Sequence, residues 1–319
     1  MNRDLPRWGD VWGSLGGVYR VRLEDEGTEV EAFLRGRVKR QARAGDRVVV
    51  GDRVRVGTEV QGDEEVWTIE EVAPRRTQIV RRSGPGRKPK AVAANLDTLI
   101  VVVSLTAPDP RLEIVDRFLV LAEVDEVPAV IVLNKTDLEG VADLADRLET
   151  LYAGIGYPVL RTSAETGEGI EALGALLSSG LSALVGPSGV GKSTLLNAVQ
   201  PGLELRTGEV SKRLGRGRHT TVAARLVPLE RGGLVADTPG FGEVGLWGIG
   251  EAEVERVFPE IAERAAGCRF RGCRHVEEPD CAVKAAVKSG DVAPSRVASF
   301  RVLCDEARED RRSGRRPTG

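Results

Sequence analysis

A chain of 319 residues, 41% hydrophobic and 29% charged, has room for two or three domains that each bury a core. Its net charge of −2 argues against a general polyanion binder, and apolar runs such as Leu99–Val103 are too short to span a bilayer. Four cysteines do not make a disulfide scaffold, and the opening MNRDLPRWGD has no apolar signal core, so a cytoplasmic protein without membrane association is expected.

Residues 1–90 read as β-structure. Val18–Leu23 alternates Tyr19, Val21 and Leu23 with Val18, Arg20 and Arg22, the two-residue period of a half-buried strand. The stretches TEVEAFLRGRV, DRVVVGDRVRV and EVWTIEEV come next, separated by Gly and Asp turn signals. Four or five short strands without a helix suggest a small barrel, and periodicity allows either an OB or an SH3-like type. From Pro74 to Lys90 there are seven basic residues and no acidic one, and the tail RRSGRRPTG is basic too. The chain holds 38 Arg against 8 Lys, however, so charge alone leaves open a nucleic-acid contact or a plain preference for arginine.

GPGRKPK reads as an exposed hinge. Over 91–245 the pattern alternates: strand LDTLIVVVS, helix RLEIVDRFLVLAEV, strand PAVIVLN, helix GVADLADRLETLYAGIG, strand YPVLRTSA, helix GIEALGALL and strand LSALVG. Helix KSTLLNAV and strands TVAARLVPLE and GLVADTPG complete the set. This is an α/β domain whose mostly parallel sheet is covered on both faces. Residues 246–319 read as a third, small, mostly helical domain.

GPSGVGKST, spanning Gly186, Pro187, Ser188, Gly189, Val190, Gly191, Lys192, Ser193 and Thr194, matches G-x-x-x-x-G-K-S/T between a strand and a helix. The chemistry needs Gly186 and Gly191 so that backbone N–H groups can curl around phosphate oxygens. Lys192, counted with the catalytic groups, would neutralise the β- and γ-phosphates, and the Ser193 hydroxyl would ligate Mg²⁺. The helix that begins there points its positive end at the anion. In DTPG, Asp237 would hold the Mg²⁺ shell and the Gly240 N–H would sense the γ-phosphate.

NKTD, the residues Asn134, Lys135, Thr136 and Asp137, separates guanine from adenine. An aspartate accepts two hydrogen bonds from guanine, whereas adenine presents an acceptor there, a mismatch that leaves a buried carboxylate unpaired. Asn134 would brace neighbouring loops and the Lys135 stem would cover the base. TSA at 162–164, with Ser163 and Ala164, resembles the companion loop whose backbone N–H reads guanine O6. An ordinary GTPase meets its phosphate loop first. Here the base loops come first, an order that a circular permutation explains, since joining the old ends and opening the sheet elsewhere keeps every strand neighbour. An ATP-using enzyme and an RNA-binding protein with a vestigial pocket are the alternatives. NKTD argues against the first, and intact Lys192, Ser193 and Asp237 against the second.

Cys268, Cys273, His275 and Cys281 form C-x4-C-x-H-x5-C, a donor set suited to one closed, tetrahedral, structural Zn²⁺. Metal binding would supply folding free energy to a domain with little apolar sequence. Cys304 is left over, as a reduced core or helix residue.

The succession NKTD, GPSGVGKST, DTPGFGEV and cysteine cluster resembles the RsgA (YjeQ) family of circularly permuted GTPases over essentially the whole chain. The resemblance implies an OB barrel over 1–90, the permuted GTPase domain over 91–245 and a zinc domain over 246–319. It further implies a factor that binds GTP, GDP and the small ribosomal subunit late in maturation, with the subunit stimulating hydrolysis; a monomer is expected. The basic stretch from Arg75 to Lys90 then reads as an rRNA contact. GRGRHTT at 215–221 matches the family's mobile switch segment, in which either Thr220 or Thr221 would reach Mg²⁺. Many GTPases carry a Gln after D-x-x-G to orient water, but Phe241 stands here, and His219 is the candidate for that task.

Overall fold

A computed structural model describes the chain except residues 1–6, 26, 37, 39–46, 62–63, 82–89, 204–223, 238–244, 247 and 313–319. The chain forms two compact units that interleave along the sequence. The first comprises Met1–Leu99, Ile170–Leu184 and Lys192–Val244; the second comprises Ile100–Gly169, Val185–Gly191 and Gly245–Gly319.

The first unit opens with strands β1 (Arg7–Leu15), β2 (Val18–Leu23), β3 (Glu29–Leu34), β4 (Arg53–Gln61) and β5 (Glu64–Val72). They run in the order β1-β2-β3-β5-β4, with β4 returning to pair with β1. Among these five, only the β3–β5 pair is parallel. A closed five-stranded barrel in this order has OB topology, which decides the question that periodicity left open. Its interior holds Val11, Tyr19, Val21, Leu23, Ala32, Val54, Val56 and Ile69, the inward positions of alternating strands.

Strand β1 escaped the sequence pattern for a physical reason. Its inward positions are Gly9, Val11 and Gly13, so two of three carry no apolar side chain. Gly9 cannot be larger, because a Cβ there would lie 2.5 Å from the Arg22 carbonyl oxygen. The hairpin of β6 (Gln78–Arg81) and β7 (Lys90–Ala94) likewise flanks the segment read as a hinge.

Arg75 is committed to the interior of this unit. Its Nε and Nη2 donate to the two oxygens of the fully buried Asp52 at 2.7 and 2.9 Å, and Nη2 also donates to the Arg47 carbonyl. Arg76 pairs with Asp97 at 2.9 Å. Two of the seven cations from Pro74 to Lys90 therefore have internal partners, and most of the remainder lie outside the described residues.

The same unit continues through helix α3 (Ile170–Leu176), most of strand β11 (Leu181–Val185), helix α4 (Lys192–Val199) and strands β12 (Ala224–Pro228) and β13 (Leu234–Asp237). β11 and β13 are parallel; β12 runs antiparallel between β13 and the barrel strand β1.

The second unit holds most of β8 (Thr98–Ser104), then helix α1 (Leu112–Val124), β9 (Ala129–Asn134), helix α2 (Ala142–Ala153) and β10 (Val159–Thr162), in the strand order β10-β9-β8. Val102, Ile131, Val132 and Leu133 are wholly buried, as expected for near-continuous apolar strands covered by helices. The chain returns to this unit with α5 (Glu251–Arg256), α6 (Pro259–Ala265), α7 (Ala282–Ser289) and α8 (Pro294–Arg312). Among the described residues, no helix is long and apolar enough to cross a membrane.

Candidate nucleotide site and metal centre

Parallel register puts the two base-reading loops side by side. Thr162, at the end of β10, is the partner of Asn134, at the end of β9. The Thr162 hydroxyl donates to Asn134 Oδ1 at 3.2 Å, and Asn134 Nδ2 donates to the Val190 carbonyl of the phosphate loop at 2.8 Å. One buried amide thus joins all three loops. Gly191 makes this approach possible: its φ is +100°, and a Cβ would run into the Asn134 amide.

The next residues extend the same scaffold. Lys135, at φ +68°, sends its ammonium to the Ala107 carbonyl at 2.5 Å and the Gly189 carbonyl at 3.1 Å. Thr136 Oγ1 reaches the Thr162 carbonyl at 3.1 Å and Glu168 Oε2 at 2.6 Å. Asp137 Oδ1 accepts from the buried Ser163 hydroxyl at 2.6 Å, while Ser163 Oγ accepts the N–H groups of Glu165 and Thr166 at 3.2 and 3.1 Å. A carboxylate held in this way has its orientation set before any base arrives, and Ala164 comes next to Ser163 in the same turn. Sequence reasoning missed Glu168, whose tie to Thr136 obeys no motif.

Gly186 closes the other end of the phosphate loop, at φ +137° and packed so near the Val102 carbonyl that no Cβ fits. Pro187, Ser188, Gly189 and Val190 span the turn, with Ser188 and Gly189 exposed and Val190 buried. Lys192, Ser193 and Thr194 form the first turn of α4, where the positive end of the helix dipole attracts an anion. Burial holds the Lys192 ammonium below its ordinary pKa, and a phosphate beside it would favour the charged form again. Asp237 ends β13, beside β11, the strand that feeds the phosphate loop. Ser193 and Asp237 offer only oxygen donors, which suits Mg²⁺. His219, Thr220, Thr221, Gly240 and Phe241 lie outside the described residues.

The metal-ligand cluster sits in the second unit. The donor atoms of Cys268, Cys273, His275 and Cys281 all lie within 4.8 Å of one another. Cys268 Sγ is 3.8 Å from Cys281 Sγ, and His275 Nδ1 lies 3.6 and 3.3 Å from those two sulfurs. With Zn–S near ~2.3 Å and Zn–N near ~2.0 Å, a tetrahedral ion separates its donors by ~3.5–3.8 Å, close to the three distances among Cys268, His275 and Cys281, so this donor set fits the ion. His275 reaches its place through a left-handed backbone at φ +59°. Its ring rests against Phe300 of α8, and Cys281 caps α7 by accepting the Lys284 N–H. The Glu278 carboxylate accepts the N–H groups of Arg274 and Val276, which pulls its pKa down to about 2.

The family model for the RsgA GTPase matches residues 72–247. The small ribosomal subunit biogenesis GTPase RsgA of Gemmatimonas aurantiaca is 46% identical over 305 residues, covering 93% of this chain and 96% of that protein. The chain belongs to the RsgA GTPase family. Among solved structures, YjeQ from Thermotoga maritima superposes with a TM-score of 0.72 at 37% identity, covering 98% of this chain and 100% of that one. YloQ, described as a circularly permuted GTPase, gives a TM-score of 0.66 at 28% identity, covering 99% of both chains. Membership accounts for the rotated motif order: the fold is a circularly permuted GTPase, and the Cys3His group is a site able to hold a metal ion.

Proposed function

We propose that the protein binds GTP between its base loops and its phosphate loop, hydrolyses it, and is stimulated to do so by the small ribosomal subunit. As a member of the RsgA family the protein is a GTP hydrolase that acts in biogenesis of that subunit. The observation that carries the site assignment is Asn134, bonded at once to Thr162 and to Val190, which binds the guanine-reading and phosphate-cradling loops into one body. In this reading Asp137 takes the guanine N1–H and amine, while Ser163 holds its carboxylate and the Ala164 N–H meets O6. Residues 186–194 wrap the phosphates, Lys192 neutralises charge, and Ser193 and Asp237 hold the Mg²⁺ shell with Thr220 or Thr221.

The barrel over 1–90 contacts rRNA, residues 91–245 form the permuted GTPase domain, and residues 246–319 form a module built on one structural Zn²⁺. The protein works late in maturation, as a cytoplasmic monomer. His219 orients the attacking water in place of the absent Gln, and the Gly240 N–H senses the γ-phosphate.

GTP turnover measured with and without small subunits tests the central claim. A rate that subunits leave unchanged would reject stimulation. His219→Ala should slow single-turnover hydrolysis with subunits present while leaving GTP affinity nearly unaltered. Equal rates in variant and parent would remove His219 from the mechanism.

A further inference from the structure

Strand β12 lies between β1 and β13, and Arg225 faces both neighbours. It is the register partner of Gly13 in β1 and of Asp237 in β13. Arg225 Nε donates to Asp237 Oδ2 at 3.2 Å, with the two side chains 32% and 18% exposed. Two antiparallel ladders hold the backbone of this arginine, so the fold itself places the pair. That distinguishes it from a surface bridge between two loose side chains.

Asp237 is the carboxylate that the proposed function assigns to the Mg²⁺ shell, and the role of Arg225 rests on that reading. We infer that Arg225 is a positioning residue that neutralises Asp237 whenever the metal is absent and competes with Mg²⁺ for the carboxylate when it is present. A bare carboxylate in the metal shell of a phosphate site repels a nucleotide arriving without metal. A guanidinium is always charged and removes that repulsion. The same guanidinium makes the carboxylate a poorer ligand, so more Mg²⁺ is needed to complete the site. Arg225 therefore has two effects of opposite sign: it strengthens metal-free nucleotide binding and it weakens Mg²⁺ binding.

The test uses the full chain and a fluorescent GDP analogue, measuring affinity in EDTA and then the Mg²⁺ midpoint of the slowing of analogue release. Arg225→Gln should weaken binding in EDTA about fivefold and lower the Mg²⁺ midpoint about fivefold, the effect of ~1 kcal/mol for a partly buried pair. Arg225→Lys should stay near the parent in both. Asp237→Asn should raise the Mg²⁺ midpoint sharply or abolish the response. If Asp237→Asn leaves the midpoint unmoved, the metal-shell reading fails and takes the inference with it. If Asp237→Asn acts as expected but Arg225→Gln moves neither quantity, or only one, the inference alone is overturned. Weakening of both nucleotide and Mg²⁺ binding in Arg225→Gln would mark a merely structural loss and also overturn it.

Discussion

Replacing Arg296 with methionine should cost about 3–5 kcal/mol of stability, and the cost should depend on pH. Arg296, on α8, is wholly buried. Its Nη1 donates to Asp116 Oδ1 of α1 at 2.5 Å, its Nε to Glu260 Oε1 at 2.7 Å, and its Nη2 to the Val257 carbonyl. The guanidinium also lies 4.0 Å over the Phe258 ring. Methionine keeps most of the volume, so a cavity is not the main term. The main term is Asp116, itself wholly buried, which would lose its one cationic partner and keep only neutral hydroxyls, that of Tyr152 at 3.0 Å and that of Ser299.

Burial already pushes the Asp116 pKa up against the pull of Arg296, and without Arg296 it should rise further. An acid whose folded-state pKa is raised destabilises the fold in its charged form. The deficit of the variant should therefore be smallest below the unfolded carboxylate value of about 3.9. It should grow as pH climbs through the raised folded-state pKa, and then level off. Urea midpoints of parent, Arg296→Met and the double variant Arg296→Met/Asp116→Leu, taken from pH 4 to 8, check this. The double variant should recover most of the loss, because breaking a buried pair costs more than replacing it. A single-variant loss under about 1 kcal/mol at pH 8, or one that pH does not change, would refute the reasoning.

Three further outcomes are expected. Asp137→Asn should lose GTP and gain xanthine nucleotide binding, since the amide donates to the extra carbonyl; unchanged GTP affinity in a competition assay would remove Asp137 from the base site. The purified protein should carry one zinc by metal analysis, and Cys273→Ser should release it and unfold the metal-bearing segment while sparing GTP binding. Burial alone raises the Asp125 pKa to about 7 at the C-terminal end of α1. Stability held below about pH 4 is thus lost as pH rises toward 7, and Asp125→Asn should be about 1–2 kcal/mol more stable at pH 8 yet equal at pH 4, a figure reduced for its partial exposure. Thermal melts of both proteins at the two pH values decide it.

The features that announced themselves in the sequence are those whose chemistry is contiguous. A phosphate loop needs its glycines and lysine within nine residues, a guanine loop needs four, and a metal knuckle needs thiols and imidazole close enough to share an ion. Their order along the chain carried the permutation as well, because motif order survives whatever the sheet does in space. Strand β1 was hidden because Gly9 and Gly13 replace the apolar side chains that periodicity counts. The barrel type was undecided because alternation reports which residues face inward and says nothing of which strands are neighbours. That took the parallel β3–β5 pair and the closure of β4 on β1.

The partners of individual charges belong wholly to the tertiary structure. In the sequence Arg75 is one cation of a basic run, and only the fold turns it inward to Asp52. Arg225 and Asp237 meet because two strands run antiparallel, and Arg296 finds Asp116 across 180 residues of chain. A local pattern encodes chemistry that must be contiguous to work. A long-range pair leaves no periodicity behind, because either partner alone is an ordinary charged residue until packing brings the other within reach.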